Sequence, residues 1–331
     1  MYPIIRNRRL RASNSLRSLI QETTLTVNDF IVPLFVVEGV GIREEILSMP
    51  GQYRMSLDVL EDEIQELTAL KLKAVLLFAK IDDAKKDNEG VEAWNPNGLM
   101  QRAIKTIKAT NSEMLVLTDV ALDPFSIYGH DGIVASGKVL NDPTVEALCK
   151  MSVSHARAGA DLVAPSDMMD GRIIEIRKAL DAEGFEDVGI LSYAAKYASA
   201  FYGPFRDALD SAPVDAEDIP KDKKTYQMNP ANRIEAIKEA LMDQEEGADI
   251  LMVKPGLPYL DIVREVKNAI QLPVAVYHVS GEYAMLHAAA EKGWIDYEAA
   301  YLEQLMCFKR AGADLIATYF AKEAAQYLNS H

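Results

Sequence analysis

The sequence has few cysteines and no long apolar run. Cys149 and Cys307, the only two cysteines, are far apart and each lies within a helical pattern. Two such thiols exclude a disulfide framework and a cysteine-type zinc site, and both are predicted to be small buried side chains. No apolar stretch approaches the roughly 18 residues that span a membrane. Residues 1–17 are basic but lack the apolar core of a signal peptide, so we expect a cytoplasmic protein.

The chain is also short of positive charge. It carries 35 Lys and Arg residues against 50 Asp and Glu residues, a net charge of −15. Nucleic acid is therefore an unfavourable partner, because its phosphates would be repelled. Arginines nevertheless cluster in the first 28 residues, at Arg6, Arg8, Arg9, Arg11 and Arg17. This segment is either a disordered tail or an arm that pairs with the acidic surface of a neighbouring subunit, and the sequence leaves both open.

From Phe30 onward, strand-like and helix-like segments alternate regularly. The chain has 331 residues, 49% of them hydrophobic, which suits one large barrel or two ordinary domains. Eight apolar strand candidates separated by amphipathic patterns predict a single α/β (β/α)8 TIM barrel over residues 29–331. The candidates are Phe30–Val37, Ala74–Ala79, Met114–Val120, Leu162–Pro165, Gly189–Ala195, Ile250–Lys254, Val274–Val279 and Leu315–Phe320.

Two of the predicted strands run into a lysine. Four apolar residues precede Lys254, which is followed by Pro255, and a similar run from Gly189 leads to Lys196. Parallel strands end at one face of the barrel, so we expect the two ammonium groups to lie side by side where such barrels place their active sites. Burial and a neighbouring cation both lower a lysine pKa, and Schiff-base chemistry requires a neutral amine. For Lys254 taken alone, a side chain that merely reaches solvent is an equal alternative.

A long connection follows the fifth predicted strand. Residues 197–230 show no clear apolar period, and they mix aromatic side chains with Arg206 and several lysines. Connections of this length inside a compact domain are usually lids or disordered, and the aromatic residues favour an active-site lid. Cations on a lid indicate an anionic substrate such as a carboxylate.

Five groups of residues, spread over the chain, carry a family resemblance. They are APSDMMDGR (164–172), SYAAKY with FYGPFRDA (192–197 and 201–208), YQMNP (226–230), MVKPG (252–256) and VSGEY (279–283). Together they resemble the porphobilinogen synthase family, also called the 5-aminolevulinate dehydratases. The resemblance extends in family order from the arginine-rich segment to the last predicted strand.

The resemblance implies a lyase of tetrapyrrole biosynthesis. Such an enzyme condenses two molecules of 5-aminolevulinate to porphobilinogen, with loss of two waters, through lysine Schiff bases. Lys254 would form the Schiff base at the P side, and Lys196 would form the other at the A side or act in proton transfer. The matched substrate-binding positions are Ser280 and Tyr319 for the P-side carboxylate, Asp119 and Ser166 near the P-side amino group, Arg206, Lys223 and Gln227 for the A-side carboxylate, and Tyr277.

The metal positions implied by the resemblance differ from those of the zinc-dependent members. Three cysteines that hold zinc in some members are matched here by Ala121, Asp123 and Asp131, as in a cysteine-free, aspartate-rich branch. Aspartate oxygens do not suit a thiolate-type zinc site, so Asp123 and Asp131 would face Mg²⁺, a monovalent cation or no ion. A second, regulatory Mg²⁺ is expected at Glu239, with Asp170 orienting its waters. A solvated helix charge is the alternative for Glu239.

The resemblance also implies self-association, with an arm over residues 1–28 that embraces a neighbouring barrel in a homo-octamer built from dimers. A class I aldolase and a catalytically silent barrel are the two alternatives. A class I aldolase needs only one barrel lysine and usually a phosphate site. Both lysines, the cations of residues 197–230 and the lack of a glycine-rich phosphate loop disfavour these two. The active-site ion, the order of C–C and C–N bond formation and the oligomeric state stay open.

Overall fold

Eight parallel strands form a closed barrel in the computed structural model, which describes residues 3–330. The strands in chain order are β1 (Phe30–Val37), β2 (Arg43–Glu45), β3 (Tyr53–Met55), β4 (Ala74–Lys80), β5 (Leu115–Val120), β6 (Val134–Ala135), β7 (Lys138–Val139), β8 (Leu162–Pro165), β9 (Gly189–Lys196), β10 (Ile250–Lys254), β11 (Val274–His278) and β12 (Leu315–Thr318). The barrel order is β1, β4, β5, β8, β9, β10, β11 and β12, and β12 closes the ring by pairing Ile316 with Phe30 of β1. The predicted (β/α)8 barrel is therefore confirmed, with strand ends displaced by at most two residues.

The barrel strands are nearly continuous apolar runs because both of their faces are buried. All five residues of β11 are buried, as are seven of the eight residues of β1. Side chains on one face fill the barrel and those on the other contact the helices, as parallel sheets require. The short strands β2 and β3 form an antiparallel hairpin, and β3 also pairs in parallel with the end of β1.

Helices cover the outside of the barrel, except for the first, which lies in the arginine-rich segment, and the sixth, which lies over the carboxyl ends of the strands. They are α1 (Asn14–Leu19), α2 (Leu57–Ala69), α3 (Leu99–Thr110), α4 (Asn141–Ala158), α5 (Arg172–Ala182), α6 (Gly203–Leu209), α7 (Ile234–Glu245), α8 (Leu260–Ala269), α9 (Ser280–Glu291), α10 (Tyr297–Ala311) and α11 (Ala321–Ser330). In α2 the buried residues Leu60, Ile64 and Leu67 recur at helical spacing and form one apolar stripe. Cys149 of α4 and Cys307 of α10 are free and half-buried, so both are less buried than the sequence predicts.

Three Gly-Ala-Asp turns lead into β8, β10 and β12. Each glycine follows a helix end with φ in the left-handed region, at 106°, 102° and 115° for Gly159, Gly247 and Gly312. Each aspartate accepts a 2.7 Å hydrogen bond from a backbone N–H of the neighbouring strand; the pairs are Asp161 with Val116, Asp249 with Ile190 and Asp314 with Val274. These aspartates therefore join strands at the amino end of the barrel, away from the candidate site.

The arginine-rich segment lies outside the barrel. Residues 3–26 contain only a short 3-10 turn at Asn7–Arg11 and α1, and neither has a buried residue. Ile4 and Leu19 are 78% and 81% exposed. Met1 and Tyr2, which the prediction of an arm also included, lie outside the described residues. Among residues 3–330, no helix combines the length and the apolar character needed to cross a membrane.

The 197–230 segment lies over the carboxyl ends of the strands. It begins with a 3-10 turn at Ala200–Tyr202 and continues in α6, a helix that the sequence interpretation missed. The apolar periodicity does not indicate this helix because Pro204 interrupts it, although proline is well tolerated in a first helical turn. Beyond Asp210 the segment has no long helix, as predicted.

Candidate active site

Lys196 and Lys254 end neighbouring strands and are register partners in the sheet. Both side chains are buried, with 6% and 5% of their surface exposed. Two buried ammonium groups side by side are unfavourable, because each cation raises the cost of keeping the other charged. Lysines without a function would therefore point into solvent instead. The structure thus brings together the two amines that sequence reasoning singled out.

Four aromatic rings surround the amine of Lys254. The distances from its Nζ to the ring centroids are 4.5 Å for Tyr277, 4.8 Å for Phe205 and 5.2 Å for both Tyr193 and Tyr202. Burial, followed by the charge of Lys196, lowers the pKa of Lys254 to about 7. A large fraction of the amine is therefore neutral near pH 7 and able to attack a carbonyl carbon.

A cluster of alternating charges holds Lys196. Its Nζ donates to Asp131 Oδ2 at 2.9 Å and to the carbonyl oxygen of Ser166. Asp131 Oδ1 accepts from Lys223 Nζ at 2.5 Å, and Lys223 also donates to Asp123 Oδ2 at 3.2 Å. Burial would raise the pKa of Asp131, but Lys196 and Lys223 hold it well below its usual range. Burial would lower the pKa of Lys223, and Asp123 and Asp131 outweigh this and raise it. Lys223 is therefore a permanent cation.

Asp119 provides a proton-exchanging group beside the lysines. It is 5% exposed, and its Oδ1 accepts a 2.7 Å hydrogen bond from the hydroxyl of Ser166. Burial, and then the charge of Asp123, raises the pKa of Asp119 to about 7. Asp119 and Lys254 thus both titrate near neutrality in one enclosed site, which is the condition for general acid–base catalysis.

Hydroxyl groups from three further elements lie at the same end of the barrel as Lys254. The hydroxyls of Tyr277 and Tyr319 are 3.1 Å apart, at the ends of β11 and β12. Ser280 is the first residue of α9, and its Oγ accepts a 3.0 Å hydrogen bond from the backbone N–H of Phe205. A helix N-terminus with a hydroxyl group favours an anion such as a carboxylate.

The predicted A-side residues occupy the 197–230 segment. Lys223 and Gln227 belong to one turn, in which Gln227 N donates to Lys223 O at 2.9 Å. Gln227 is buried, and its Oε1 finds no hydrogen-bond partner within the described residues. Arg206 lies on α6 and is half-buried. Arg54 of β3 holds the segment in place, because it donates to the carbonyls of Asp207 and Ala208 at 2.5 Å and 2.7 Å.

Glu239 and Asp170 line one cleft of about 500 Å³, and Thr225 and Tyr226 of the 197–230 segment line the same cleft. Burial raises the pKa of Glu239, and Arg172 opposes that effect. Within residues 3–330 no three His, Cys, Asp or Glu side chains are grouped to hold a metal ion. A single glutamate with a nearby aspartate fits Mg²⁺ that keeps most of its waters. Asp123 and Asp131 do not fit a divalent ion as they stand, because two ammonium groups already balance their charge.

Sequence reasoning missed a buried ion network behind Ser166. Arg172 forms two hydrogen bonds with Asp243, of 3.0 Å and 3.2 Å, and its Nε faces Asp167 Oδ2 at 3.8 Å. Burial raises the pKa of Asp167 to about 6, against the charge of Arg172. The resembling motif at residues 164–172 contains Asp167 and Arg172, so the signal was present, but nothing in the sequence paired them with Asp243.

Glu282 is a second residue that sequence reasoning missed, although it lies in the VSGEY motif. Its carboxylate accepts hydrogen bonds from the backbone N–H groups of Val279, Leu257 and Gly256. Burial raises the pKa of Glu282 to about 7, although the three donors act in the opposite direction. Its position three residues after Val279, at the start of a helix, is the signal of a capping glutamate.

The fold and the site together define a (β/α)8-barrel enzyme with a buried, reactive amine at the carboxyl end of its strands. The chain belongs to the delta-aminolevulinic acid dehydratase family, whose profile matches residues 4–327. The resemblance described from the motifs is thereby confirmed.

Relatives match over nearly the whole chain. The delta-aminolevulinic acid dehydratase of Halalkalibacterium halodurans is 52% identical over 324 residues, which cover 98% of this chain and 97% of that protein. The chloroplastic enzyme of Chlamydomonas reinhardtii is 53% identical over 328 residues, covering 98% of this chain and 84% of that protein.

A solved structure matches equally well. The crystal structure of delta-aminolevulinic acid dehydratase (porphobilinogen synthase) from Toxoplasma gondii, in complex with the reaction product porphobilinogen, has a TM-score of 0.95 and 53% identity. The match covers 98% of this chain and 91% of that one.

Proposed function

We propose that this chain condenses two molecules of 5-aminolevulinate to porphobilinogen, with loss of two waters, in tetrapyrrole biosynthesis. The observation that carries the proposal is the register pair Lys196 and Lys254, of which Lys254 has a pKa of about 7 in a ring of aromatic side chains. The family membership supports it, since the relatives bear the name of this activity.

Lys254 forms the first Schiff base. The neutral amine attacks the ketone carbon of a substrate at the P side, and the resulting carbinolamine loses its hydroxyl group as water. Asp119, with a pKa of about 7, is the acid that protonates the departing hydroxyl. The adjacent carbon then loses a proton to the Asp119 carboxylate, and the iminium accepts the electron pair left behind, which prepares that carbon for C–C bond formation. Ser166 orients the Asp119 carboxyl group through their hydrogen bond.

The first substrate is held at its carboxylate. Ser280 at the N-terminus of α9 and the hydroxyl of Tyr319 donate to it, and Tyr277 supports Tyr319 through the contact between their hydroxyls. These groups lie on the ends of β11, α9 and β12, at the same end of the barrel as Lys254. The ketone of the same molecule then faces the amine.

The second substrate occupies the side of Lys196 beneath the 197–230 segment, which acts as the lid. Lys196 forms a second Schiff base or transfers protons through Asp131, to which it is hydrogen-bonded. Arg206, the permanent cation Lys223 and the amide N–H groups of Gln227 bind the A-side carboxylate. Lys223 reaches that carboxylate while it remains paired with Asp123 and Asp131.

For the metals, we propose one regulatory Mg²⁺ at Glu239, with its waters oriented by Asp170 in the shared cleft. This ion would supply structural support at a distance from the reacting atoms. We assign no step to an ion at Asp123 and Asp131, because the donor set is already neutralised by Lys196 and Lys223.

Two further features remain proposals. Residues 1–28 form an arm that packs on a second copy of this chain, in an octamer built from dimers. The arm carries exposed apolar side chains and arginines, which complement the acidic remainder of the chain. We also propose a cytoplasmic location for the enzyme.

The test is borohydride reduction in the presence of 5-aminolevulinate, followed by mass mapping of the modified lysines and a parallel assay for porphobilinogen. We expect turnover and an adduct on Lys254, with a second adduct on Lys196 if both lysines form Schiff bases. Lys254→Ala should show no detectable turnover while its circular dichroism is unchanged, and Lys196→Ala should be severely impaired.

The control is Lys267→Ala, because Lys267 pairs with Asp314 at the amino end of the barrel and should not affect turnover. Near-normal turnover by Lys254→Ala would overturn the mechanism. An adduct on a single lysine with C–C cleavage and no pyrrole would indicate an aldolase. A folded protein without any adduct would indicate a silent barrel.

A further inference from the structure

The carboxylate of Glu282 lies between two segments of backbone. Its Oε1 accepts a 2.5 Å hydrogen bond from Leu257 N–H, and its Oε2 accepts one of 2.7 Å from Val279 N–H and a longer one of 3.4 Å from Gly256 N–H. The residue is 2% exposed. One carboxylate therefore ties the turn after Lys254 to the first turn of α9, and only an acceptor on both oxygens can do this.

The two segments have no room to slide past their surroundings. A Cβ atom on Gly256 would lie 2.6 Å from the ring of Phe308 and 3.0 Å from the carbonyl oxygen of Tyr277. A Cβ atom on Gly281 would lie 2.5 Å from the carbonyl oxygen of Phe201. Because both segments are closely packed, the hydrogen bonds of Glu282 hold the turn after Lys254 and the first turn of α9 at a fixed distance from each other.

Glu282 connects two groups of the candidate site. Lys254 comes two residues before Gly256, and Ser280 comes two residues before Glu282. Ser280 Oγ is bonded to the backbone N–H of Phe205, whose ring lies 4.8 Å from Lys254 Nζ. The contacts thus form a closed loop from Lys254 through Glu282 and Ser280 back to Lys254. Such a loop sets the distance between the amine and the Ser280 hydroxyl.

We propose that Glu282 is a positioning residue that sets the spacing between the amine of Lys254 and the carboxylate-binding hydroxyl of Ser280, and thereby selects keto acids by chain length. The inference rests on the proposed function, in which one substrate is held by its ketone carbon and its carboxylate. In a 4-oxo acid, two methylene groups separate these carbons. A 5-oxo acid is one methylene longer, so it must bend its chain to reach both groups at the same spacing and is bound less well.

The test compares levulinate (4-oxopentanoate) with 5-oxohexanoate as probes. The rate of borohydride-dependent adduct formation on Lys254 is measured by mass spectrometry in the wild type, Glu282→Gln and Glu282→Asp. The glutamine keeps the side-chain length and loses one acceptor, whereas the aspartate keeps the charge and is one carbon short. Because a small misplacement of a reacting group slows a reaction strongly, we expect the rate of levulinate trapping to fall about 10- to 100-fold in both variants. Trapping of 5-oxohexanoate should fall less, so the preference for levulinate shrinks.

Glu63→Gln is the matched control. Glu63 is 5% exposed and pairs with Lys322, so its substitution also disturbs a buried glutamate but should leave the levulinate preference unchanged. A Glu282 that only stabilised the fold would lower the unfolding temperature in its variants and leave the preference unchanged. That result would overturn the inference.

If the variants do not fold, trapping of the two probes by the wild type still tests the length selection. Equal trapping of the two probes by the wild type would overturn the length selection. Selective trapping of levulinate without porphobilinogen formation from 5-aminolevulinate would support the spacing and contradict the proposed function. No adduct with either probe would overturn both.

Discussion

The two strand-end lysines have different surroundings although they are register partners. Lys196 donates to Asp131 and to the carbonyl oxygen of Ser166, whereas Lys254 lies among four aromatic rings. An ammonium over an aromatic face is stabilised far less than one that is paired with a carboxylate. Lys254 is therefore the amine that loses its proton near neutrality, and Lys196 supplies part of the charge that causes this.

The pH dependence of Lys254 reactivity should reveal its neighbours. Only the neutral amine forms an imine, so borohydride trapping of levulinate on Lys254 should rise with pH around a midpoint near 7. Lys196→Met should move the midpoint to higher pH, because a like charge is lost. Asp119→Asn should move it to lower pH, because an attractive charge is lost. The measurement is the initial trapping rate against pH for each variant.

Lys267→Met is the control for this titration, since Lys267 pairs with Asp314 away from the site. Its midpoint should equal that of the wild type. A Lys196→Met midpoint that falls or stays unchanged would contradict the view that the paired cation lowers the Lys254 pKa.

At the scale of elements, the 197–230 segment is attached to the barrel at several points. Arg54 of β3 holds the carbonyls of Asp207 and Ala208, and the His130 ring contacts the carbonyl oxygen of Pro220 at 2.7 Å and the Tyr226 hydroxyl at 3.1 Å. The first helix of the segment places Phe205 over Lys254. A change at one attachment should thus be felt at the amine.

Two glycine substitutions should separate packing from flexibility in this segment. Gly281→Ala forces a Cβ atom against the carbonyl oxygen of Phe201, and overpacking of this kind costs about 1–3 kcal/mol. We expect a lower free energy of unfolding, faster proteolysis within residues 210–222 and a higher KM for 5-aminolevulinate. Gly203→Ala, at the start of α6, meets nothing within 4 Å and has helical φ and ψ, so it should be neutral or stabilise by about 0.4–1 kcal/mol.

Urea unfolding, limited proteolysis and steady-state kinetics would measure these effects. The prediction is wrong if both alanine variants behave alike, since Gly281 is packed against Phe201 of the segment whereas Gly203 has free space around it.

At the scale of the whole molecule, charge is unevenly distributed. The net charge is −15, yet residues 3–20 carry five arginines and no acidic residue. Ile4, Ile5, Leu10 and Leu19 are more than half exposed in the same segment. Apolar side chains beside arginines are a composition typical of interface residues.

Removal of the arginine charges should therefore weaken assembly. The triple variant Arg8→Gln, Arg9→Gln and Arg11→Gln should sediment as smaller species than the wild type at equal concentration. The difference in sedimentation between variant and wild type should diminish at high salt, because an ionic strength near 1 M shortens the electrostatic screening length to about 3 Å. Lys178→Gln, which removes an exposed cation on α5, is the control and should not change the sedimentation coefficient. A wild type that sediments as a monomer would rule out the arm.

Much of this molecule could be predicted from its sequence. Apolar strands such as β10 and β11 were located because burial on both faces leaves no polar position in the run. The chemistry of Lys254 and Lys196 was predicted from their place at strand ends, where a barrel concentrates its functional groups. The helix α6 and the partial burial of the cysteines were not predicted, because short helices that begin with Gly-Pro lack a readable period and partial burial depends on neighbouring helices.

The barrel, the family and the two strand ends that carry the amines follow from the sequence, because these depend on local patterns and on strand direction. The completion of the site depends on the tertiary structure. Two residues of β9, Tyr193 and Ala194, oppose a single residue of β10, and this bulge lets Tyr193 and Lys196 contribute to one site although they are three positions apart. The pairing of Lys223 with Asp123 and Asp131, and the bonds from Glu282 to the turn after Lys254, join residues that are distant in the chain or lie on separate elements. No local pattern encodes such contacts, because they arise only when the closed barrel brings strand ends and loops together.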